Sequence, residues 1–185
     1  MTSQLAMESN KDINIDLSRD SRHGVIQILN KRLWWIYLIY KTRNYHWNVV
    51  GLNFSERHKF FQELYEQIDE IIDEVAERAR TLNGRSLGTL AEFVDHGSIQ
   101  ENPGRYPDEL TMISNLLADH EQIIRSLCTD ADRCEEYHDM GTNDFLISVM
   151  EKHEKMAWCY VLTWTETGYN SIIPYTNLSS NLFII

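Results

Sequence analysis

The amino-acid sequence predicts an all-α protein in which four long helices pack as one bundle. Apolar residues recur every three or four positions in four long segments, which is the period of an amphipathic helix. The second and third segments are separated by a long connection, residues 85–106, whereas the other connections are short. With 185 residues, 43% of them apolar, the chain has the size of one domain with a substantial core.

The first two helices are expected in the N-terminal half of the chain. The first spans about residues 21–48, and its apolar character wraps almost all round at 33–40, which indicates burial in the core or between subunits. The second follows a short loop, with Ser55 as its expected cap and Asn83-Gly84 as its stop signal. Its apolar stripe is the clearest in the chain and consists of Phe60, Phe61, Leu64, Tyr65, Ile68, Ile71, Ile72, Val75, Ala76, Ala79 and Leu82.

The C-terminal half is expected to hold a short extra helix and the last two long ones. The short helix lies near residues 89–94, inside the long connection. Pro107 suits the first turn of the third helix, Gly141 is expected to end it, and Thr142 or Asn143 is expected to cap the fourth. Four long helices with one long connection between the second and the third describe a ferritin-like four-helix bundle.

We divide the chain into three parts. Residues 1–20 are polar without a period and are expected to form a flexible N-terminal tail. Residues 21–168 form the bundle, and residues 169–185 form an apolar C-terminal extension. Three interpretations of the extension stay open, because an apolar segment can pack over a neighbouring subunit, line a pore or remain disordered.

Charge and cysteine content narrow the function classes. Acidic residues outnumber basic ones by 28 to 17, so the net charge is -11, and a chain of this sign is poorly suited to bind nucleic acid over its whole surface. The three cysteines have no C-x-x-C spacing and are expected to be reduced thiols. Neither a signal peptide nor an apolar run long enough for a bilayer is visible. We therefore expect a soluble cytoplasmic protein with no membrane partner.

Two histidines and two carboxylates are the candidate metal ligands, namely His46, His58, Asp73 and Glu77. Imidazole nitrogens and carboxylate oxygens together suit iron, manganese or zinc. His58 and Asp73 are fifteen residues apart on one helix, roughly 22 Å at about 1.5 Å per residue. Metal–ligand bonds are only about 2.0–2.2 Å long, so these side chains of one chain cannot share an ion.

An antiparallel two-fold pairing of second helices would bring the two pairs together and would form two equivalent shared sites. Each residue also has a plain structural interpretation. The histidines can be hydrogen-bonded core residues, and the carboxylates can lie on a solvated face or pair with Arg78 and Arg80. A di-iron site inside one bundle needs two Glu-x-x-His motifs, and only Glu135–His138 is present. His120 and His153 are accordingly expected to be core or interface histidines.

The segments that carry these ligands resemble the Dps family, the DNA-binding proteins from starved cells or mini-ferritins, and the cyanobacterial members most of all. The matching motifs are K-T-R-N-Y-H-W-N-V-V-G-L-N-F at 41–54, H-K-F-F at 58–61, D-E-V-A-E-R at 73–78, D-F-L at 144–146 and H-E-K-M-A-W at 153–158. The resemblance implies a hollow homo-dodecamer that oxidises Fe(II), usually with hydrogen peroxide, and stores Fe(III) mineral. It implies that His46 and His58 of one subunit and Asp73 and Glu77 of another form the ferroxidase site.

The resemblance implies further roles. Trp47 lies beside the site and either traps radicals or only packs against the helices. Asp139 and Asp144 fall where the family builds acidic three-fold pores. Iron mineral nucleates on acidic residues of an inner face, for which the candidates on the second helix are Glu63, Glu66 and Glu70.

One departure concerns Gln62, which stands where many members carry a further carboxylate. The second iron position is therefore expected to be weak or water-bridged, and zinc is a possible competitor. Lys59 also puts a cation where an acidic residue is common. DNA binding is expected to be weak or absent, since residues 1–20 contain two basic and four acidic side chains. The alternative functions are a non-enzymatic metal-binding cage and a chromosome-compacting protein.

Overall fold

The structure is a computed structural model that describes residues 13–96 and 103–165. Over these residues it contains six α-helices, joined in one place by a 3-10 turn at Leu33–Trp35. The helices are α1 (Arg19–Arg32), α2 (Ile36–Asn48), α3 (Phe54–Thr81), α4 (Leu90–His96), α5 (Glu109–Glu136) and α6 (Met140–Thr165). The predicted all-α four-helix bundle with a short extra helix is confirmed. Most of the predicted tail and all of the C-terminal extension lie outside the described residues.

The first long helix of the bundle differs from the prediction because a 3-10 turn divides it into α1 and α2. In a 3-10 turn, side chains three residues apart lie one above the other. Trp35 at the end of this turn is buried, and so are Arg32 before the turn and Leu38 after it. The Trp35 ring lies edge-on to His153 of α6, with 5.2 Å between ring centroids. The change of helical pitch therefore coincides with a tryptophan that is packed in the core.

Helix α3 ends where the sequence predicts and begins two residues earlier than expected. Asn83 has a positive φ of 64°, and the Gly84 amide donates to the Ala79 carbonyl while the Asn83 amide donates to the Arg80 carbonyl. This pair of bonds is the Schellman motif. At the other end Asn53 is the cap, without a side-chain capping bond. The prediction of Ser55 as cap was wrong, because this serine already lies in the first turn.

Two further helix starts have side-chain caps. Thr89 and Glu92 form a capping box at α4, in which the Thr89 amide donates to Glu92 and the Glu92 amide donates to the Thr89 hydroxyl. At α5 the cap is Asp108, whose carboxylate accepts from the Leu110 and Thr111 amides. Hydrogen bonds from Thr111 lower the pKa of Asp108. Pro107 therefore precedes the cap rather than lying in the first turn.

The turn between α5 and α6 also differs from the prediction. His138 has a positive φ of 60° and ends α5, three residues before Gly141. Asp139 then caps α6, because its carboxylate accepts from the Thr142 amide at 2.9 Å and from the Thr142 hydroxyl at 2.6 Å. The expected caps Thr142 and Asn143 thus lie inside the helix. Gly141 leaves room for a neighbouring guanidinium, since a Cβ there would lie 3.0 Å from Arg78 Nη2.

The helices pack in two antiparallel pairs, α2 with α3 and α5 with α6, and α1 continues along α3. Two ion pairs tie the first helix to α5: Arg32 with Asp130, both buried, and Lys41 with Asp119, both largely buried. Among the described residues, no helix is long and apolar enough to cross a bilayer. The α2–α3 pair carries the four predicted ligands.

Candidate metal centre

His46 and His58 meet at one end of the bundle. His46 lies in the last turn of α2 and His58 in the second turn of α3, and the short connection at 49–53 folds one back onto the other. Their rings stack with centroids 3.6 Å apart and planes inclined by 23°. His46 is buried, with 7% of its surface exposed, and His58 is half-buried. The structure therefore brings the two predicted histidines together within one chain.

The two histidines lock each other through the backbone. Nδ1 of His46 lies 2.7 Å from the His58 carbonyl oxygen, and Nδ1 of His58 lies 2.7 Å from the His46 carbonyl oxygen. A carbonyl oxygen only accepts, so each Nδ1 must carry the proton and donate. In the neutral ring the lone pair then resides on Nε2. A hydrogen bond from the non-ligating nitrogen to a carbonyl is the usual support of a metal-binding histidine, because it sets tautomer and orientation.

Aromatic side chains surround this histidine pair. Tyr65 approaches His46 edge-on at 5.5 Å between centroids, and Phe54 lies 5.2 Å from His58. The Arg43 guanidinium lies 4.8 Å from the centroid of the Tyr65 ring, over its face, which holds a cation near the pair. Sequence reasoning missed Tyr65 and Arg43. Helical spacing could have placed both residues near the histidines, because Tyr65 lies two turns after His58 and Arg43 lies nearly one turn before His46.

Asp73 and Glu77 lie near the other end of α3, and both are exposed. Along this unbroken helix they are roughly 22 Å or more from His58. The two arginines considered as partners are engaged elsewhere: Arg78 donates to Thr142 and Asp139, and Arg80 donates to the Gly84 carbonyl. No salt bridge to either carboxylate is found within residues 13–96 and 103–165.

A single chain does not assemble a metal site of three or more side chains from histidine, cysteine, aspartate and glutamate, as far as the described part of the chain extends. What it presents is two half-sites at opposite ends of one helix pair. One half-site offers two imidazoles with Nε2 lone pairs, and the other offers two carboxylates. The assignment of all four residues to a shared site stays a prediction, because only one chain is present.

Comparison with known proteins decides the family. Residues 26–161 match the ferritin-like domain model. The chain is 45% identical over 148 residues to an uncharacterized low temperature-induced protein of Nostoc sp., covering 79% of this chain and 83% of the relative. It is 33% identical over 136 residues to DNA protection during starvation protein 2 of Bacillus anthracis, covering 72% and 92%. The chain belongs to the Dps family of ferritin-like proteins.

Solved structures agree with this assignment. DpsC from Streptomyces coelicolor superposes with a TM-score of 0.78 at 32% identity, covering 83% of this chain and 90% of that one. A Dps protein from Vibrio cholerae, described as a member of a superfamily of ferritin-like diiron-carboxylate proteins, gives 0.76 at 25% identity and covers 84% and 98%. The resemblance stated from the motifs is confirmed, including the similarity to a cyanobacterial protein.

The other residues singled out in this Dps-family chain lie in different environments. Trp47 is 67% exposed, so in a single chain it does not simply pack against the helices. Gln62 is half-buried and donates through Nε2 to Glu66 Oε1 at 2.9 Å. Lys59 Nζ lies 3.7 Å from Glu63 Oε1, on an exposed face. Glu70 is also exposed.

The two predicted pore residues differ from each other. Asp144 is exposed, as a pore residue must be before assembly. Asp139 is 4% exposed, and besides capping α6 it accepts from Arg78 Nη2 at 3.2 Å. The hydrogen bonds of the Asp139 carboxylate therefore stabilise the turn between α5 and α6. Of the two residues, Asp144 is the one whose carboxylate faces solvent.

His120 and His153 form a second histidine pair, in the core as predicted. Their Nδ1 atoms lie 3.0 Å apart, and both residues are fully buried. Burial lowers the pKa of His153 to about 3 and the pKa of His120 well below its ordinary value. Both rings are therefore neutral at physiological pH. They contact Trp35 and Tyr160 rather than the α2–α3 half-sites.

Proposed function

We propose that this protein is an iron-oxidising mini-ferritin whose active site is shared between two copies of the chain. His46 and His58 of one copy and Asp73 and Glu77 of the other bind Fe(II), the substrate. The observation that carries this proposal is the reciprocal lock of the two histidines, which leaves both Nε2 atoms as ligands. The exposed carboxylates Asp73 and Glu77 also support it. They lie on α3 too far from the histidines of the same chain to share an ion with them, so a second copy is needed.

Antiparallel pairing of two α3 helices about a two-fold axis satisfies both half-sites at once. Each copy then contributes its histidines to one site and its carboxylates to the other. The exposed apolar side chains beside the histidine pair support this contact, since Trp47, Val50, Leu52 and Phe54 cluster around the α2–α3 connection. An exposed apolar group of this kind marks an interaction surface. We extend the proposal to the dodecamer that the family resemblance implies.

The chemistry follows from the ligand types. Two carboxylates offset the charge of the ion and stabilise the ferric product more than the ferrous substrate, whereas neutral imidazoles fix its position. In the proposed reaction, two Fe(II), one hydrogen peroxide and two protons give two Fe(III) and two water molecules. The electrons pass from iron to the O–O bond, which breaks. Trp47, exposed next to His46, is placed to reduce a stray one-electron oxidant.

Storage requires that iron enter a cavity and nucleate there. Asp144 is the candidate for a pore carboxylate, where charge at a constriction raises the local cation concentration. Glu63, Glu66 and Glu70 are the candidate nucleation residues on α3, and all three are exposed. Glu63 is partly neutralised by Lys59. Zinc remains a candidate competitor for iron, because it accepts four ligands of nitrogen and oxygen.

A second candidate function is a metal-binding cage with little turnover. Gln62 favours it, since an amide in place of a carboxylate compensates no positive charge. Chromosome compaction is disfavoured by the net charge of -11 and by the composition of residues 1–20. Peroxide-driven Fe(II) oxidation separates the first two functions, because a cage of the second kind binds metal without accelerating oxidation.

The deciding experiment is stopped-flow oxidation of Fe(II) by hydrogen peroxide with purified protein. We expect the His58→Ala, Asp73→Ala double variant to lose the fast phase. A matched control replaces an exposed histidine and an exposed carboxylate away from the half-sites, His23→Ala with Glu121→Ala, and should keep it. An unchanged rate in the first variant would refute the assignment. Metal analysis and the mass of the assembly by size exclusion complete the test.

A further inference from the structure

Four buried polar atoms lie close together in the core of the bundle, on residues of the 3-10 turn, α5 and α6. They are Trp35 Nε1, His120 Nε2, His153 Nε2 and the Tyr160 hydroxyl oxygen, and all four residues are fully buried. None of these atoms has a hydrogen-bond partner among the residues that the structure describes. A buried donor or acceptor without a partner destabilises a folded protein, and native structures contain few of them. Four in one cluster therefore indicate a partner from outside the chain.

The rings that carry these atoms form an ordered series. The Trp35 and His153 centroids are 5.2 Å apart, and the His153 and His120 centroids are 5.0 Å apart. The series ends at Tyr160, whose ring centroid is 5.3 Å from that of His120. Only the middle contact includes a direct hydrogen bond, in which the two Nδ1 atoms lie 3.0 Å apart. The Nε2 atoms lie on another side of each ring and are left to the two ends of the series.

The bond between the histidines determines what kind of partner is needed. Both rings are neutral, and a single proton lies between the two Nδ1 atoms, so one Nε2 accepts and the other carries a proton and donates. The indole N–H of Trp35 only donates. Burial, and then the charge of Asp119, raises the pKa of Tyr160, so its hydroxyl stays protonated and can both donate and accept. The partner must therefore donate as well as accept hydrogen bonds.

A water molecule meets this requirement and a metal ion does not. An indole N–H cannot ligate a cation, and neutral imidazoles offset none of its charge. Asp119 already pairs with Lys41. Within the described ranges, no group of three or more histidine, cysteine, aspartate and glutamate side chains could hold an ion. Buried water, in contrast, typically bonds to polar groups that lack other partners.

We propose that two internal water molecules complete a hydrogen-bonded chain through the bundle core. One bridges Trp35 Nε1 to His153 Nε2, and the other bridges His120 Nε2 to the Tyr160 hydroxyl. Because the indole only donates, the first water accepts from Trp35 and donates to His153 Nε2. His153 then carries its proton on Nδ1, and His120 carries its proton on Nε2. The chain is independent of the proposed function, and it ties the 3-10 turn to α5 and α6, since a fully satisfied polar network specifies how a core packs.

A crystal structure of the full chain, at a resolution that orders buried water, tests the proposal directly. We expect one density peak within hydrogen-bond distance of Trp35 Nε1 and another within hydrogen-bond distance of the Tyr160 hydroxyl. The absence of both peaks would overturn the proposal. Anomalous scattering at either peak in crystals grown with Co(II) would overturn it as well, because it would identify a metal ion.

The direction of the chain has its own test. Solid-state nitrogen NMR of histidine-labelled protein distinguishes protonated from unprotonated ring nitrogens. We expect a protonated Nδ1 in His153 and a protonated Nε2 in His120. The reverse assignment would overturn the direction that the indole donor imposes.

Urea unfolding at fixed protomer concentration gives a test that depends on the sign of the change. Tyr160→Phe removes only the hydroxyl, so the urea midpoint should fall if a water bonds to that hydroxyl and rise if the hydroxyl is unpaired. Tyr45→Phe is the matched control, because Tyr45 is also buried and its hydroxyl accepts from Asn115 Nδ2 at 3.1 Å. We expect the midpoint to fall in both variants. A midpoint that rises or stays unchanged in Tyr160→Phe, while it falls in Tyr45→Phe, would overturn the bridge at Tyr160.

Discussion

His46 and His58 hold each other in place: each Nδ1 lies 2.7 Å from the other residue's carbonyl oxygen, and the rings stack 3.6 Å apart. The arrangement joins the end of α2 to the start of α3 by side chains rather than by helix packing alone. It also orders two potential ligands before any metal binds. Preorganisation of this kind removes part of the ordering cost of metal binding.

Asparagine at either histidine position separates the structural role of the lock from its ligand role. The Asn side chain retains an N–H donor for the carbonyl but has no Nε2 lone pair. We expect His58→Asn to keep most of the thermal stability and to lower Co(II) affinity at least about tenfold. His58→Ala should additionally lose about 1–2 kcal/mol from the bond and the stack. Circular dichroism melts and anaerobic titration measure the two effects, and equal metal affinity in wild type and His58→Asn would contradict the ligand role.

Mixed assemblies test whether the site is shared. Co-expressed His58→Ala and Asp73→Ala chains, carrying different tags, form random pairs. A site with all four ligands needs its histidines from an Asp73→Ala chain and its carboxylates from a His58→Ala chain, each with a chance of one half. About a quarter of the sites should therefore be intact, with about a quarter of the wild-type oxidation rate.

The homogeneous variants are the controls for this experiment, since each should be inactive by itself. A site built within one chain would leave every site in the mixture without one ligand. No recovery of activity in verified mixed assemblies would thus count against the shared site. Recovery well above one quarter would indicate that one of the two substituted residues is dispensable.

Helix α3 and the separation of the half-sites could be predicted from the sequence, because the apolar period and the Asn83-Gly84 pair are local signals and the rise per residue is constant. The break at Leu33–Trp35 could not be predicted, since no glycine or proline marks it and Trp35 contacts His153, which is distant in sequence. The capping of α6 by Asp139 could not be predicted from the sequence either. The suitable caps in this segment are Asp139, Thr142 and Asn143. The residue that caps the helix, Asp139, also accepts a hydrogen bond from Arg78, which is distant in sequence.

The sequence predicts the residues of the site and the distance between its two halves, but not the contacts within each half. Helix arithmetic shows that His58 and Asp73 of one chain cannot share an ion, whatever the tertiary structure. The hydrogen bonds between His46 and His58 depend on the path of the loop at 49–53. This loop is too short to show a hydrophobic period from which its path could be predicted. The Gln62–Glu66 bond fits a spacing of four residues, but the spacing alone does not show which neighbouring side chain Gln62 pairs with.

The buried pair of His120 and His153 should make the protein acid-sensitive. Burial lowers the pKa of His153 to about 3, against about 6.5 for an unfolded histidine. Between these values the unfolded state binds more protons, so stability rises with pH and is lost as the pH falls below about 6.5. From pH 7 to pH 5 the free energy of unfolding should fall by about 2 kcal/mol through His153 alone, and the lowered pKa of His120 acts in the same direction.

Urea unfolding at fixed protomer concentration measures this loss. The double variant His120→Leu with His153→Leu should show a smaller decrease between pH 7 and pH 5 than wild type. His23→Ala, which removes an exposed histidine, should show the wild-type decrease. A pH dependence that persists unchanged in the double variant would exclude the buried pair as its cause. If the double variant does not fold, His153→Gln, which keeps a hydrogen-bonding side chain, provides the comparison.

Asp139 should matter for stability and Asp144 for iron entry. The Asp139 carboxylate accepts from the Thr142 amide and hydroxyl and from Arg78, so Asp139→Ala should cost about 2–3 kcal/mol through the lost cap and ion pair. Asp139→Asn keeps the cap and should cost about half as much. Asp144→Ala, at an exposed position, should leave stability within about 0.5 kcal/mol.

Iron uptake measured on the same variants completes the argument. Because charge at a constriction raises the local concentration of cations, Asp144→Ala should slow the appearance of ferric mineral without changing the initial oxidation at the shared site. Asp139→Asn should leave mineral formation at the wild-type rate, since its carboxylate is buried in the α5–α6 turn. Slow mineral formation in Asp139→Asn, with unchanged stability, would instead place Asp139 in the entry path.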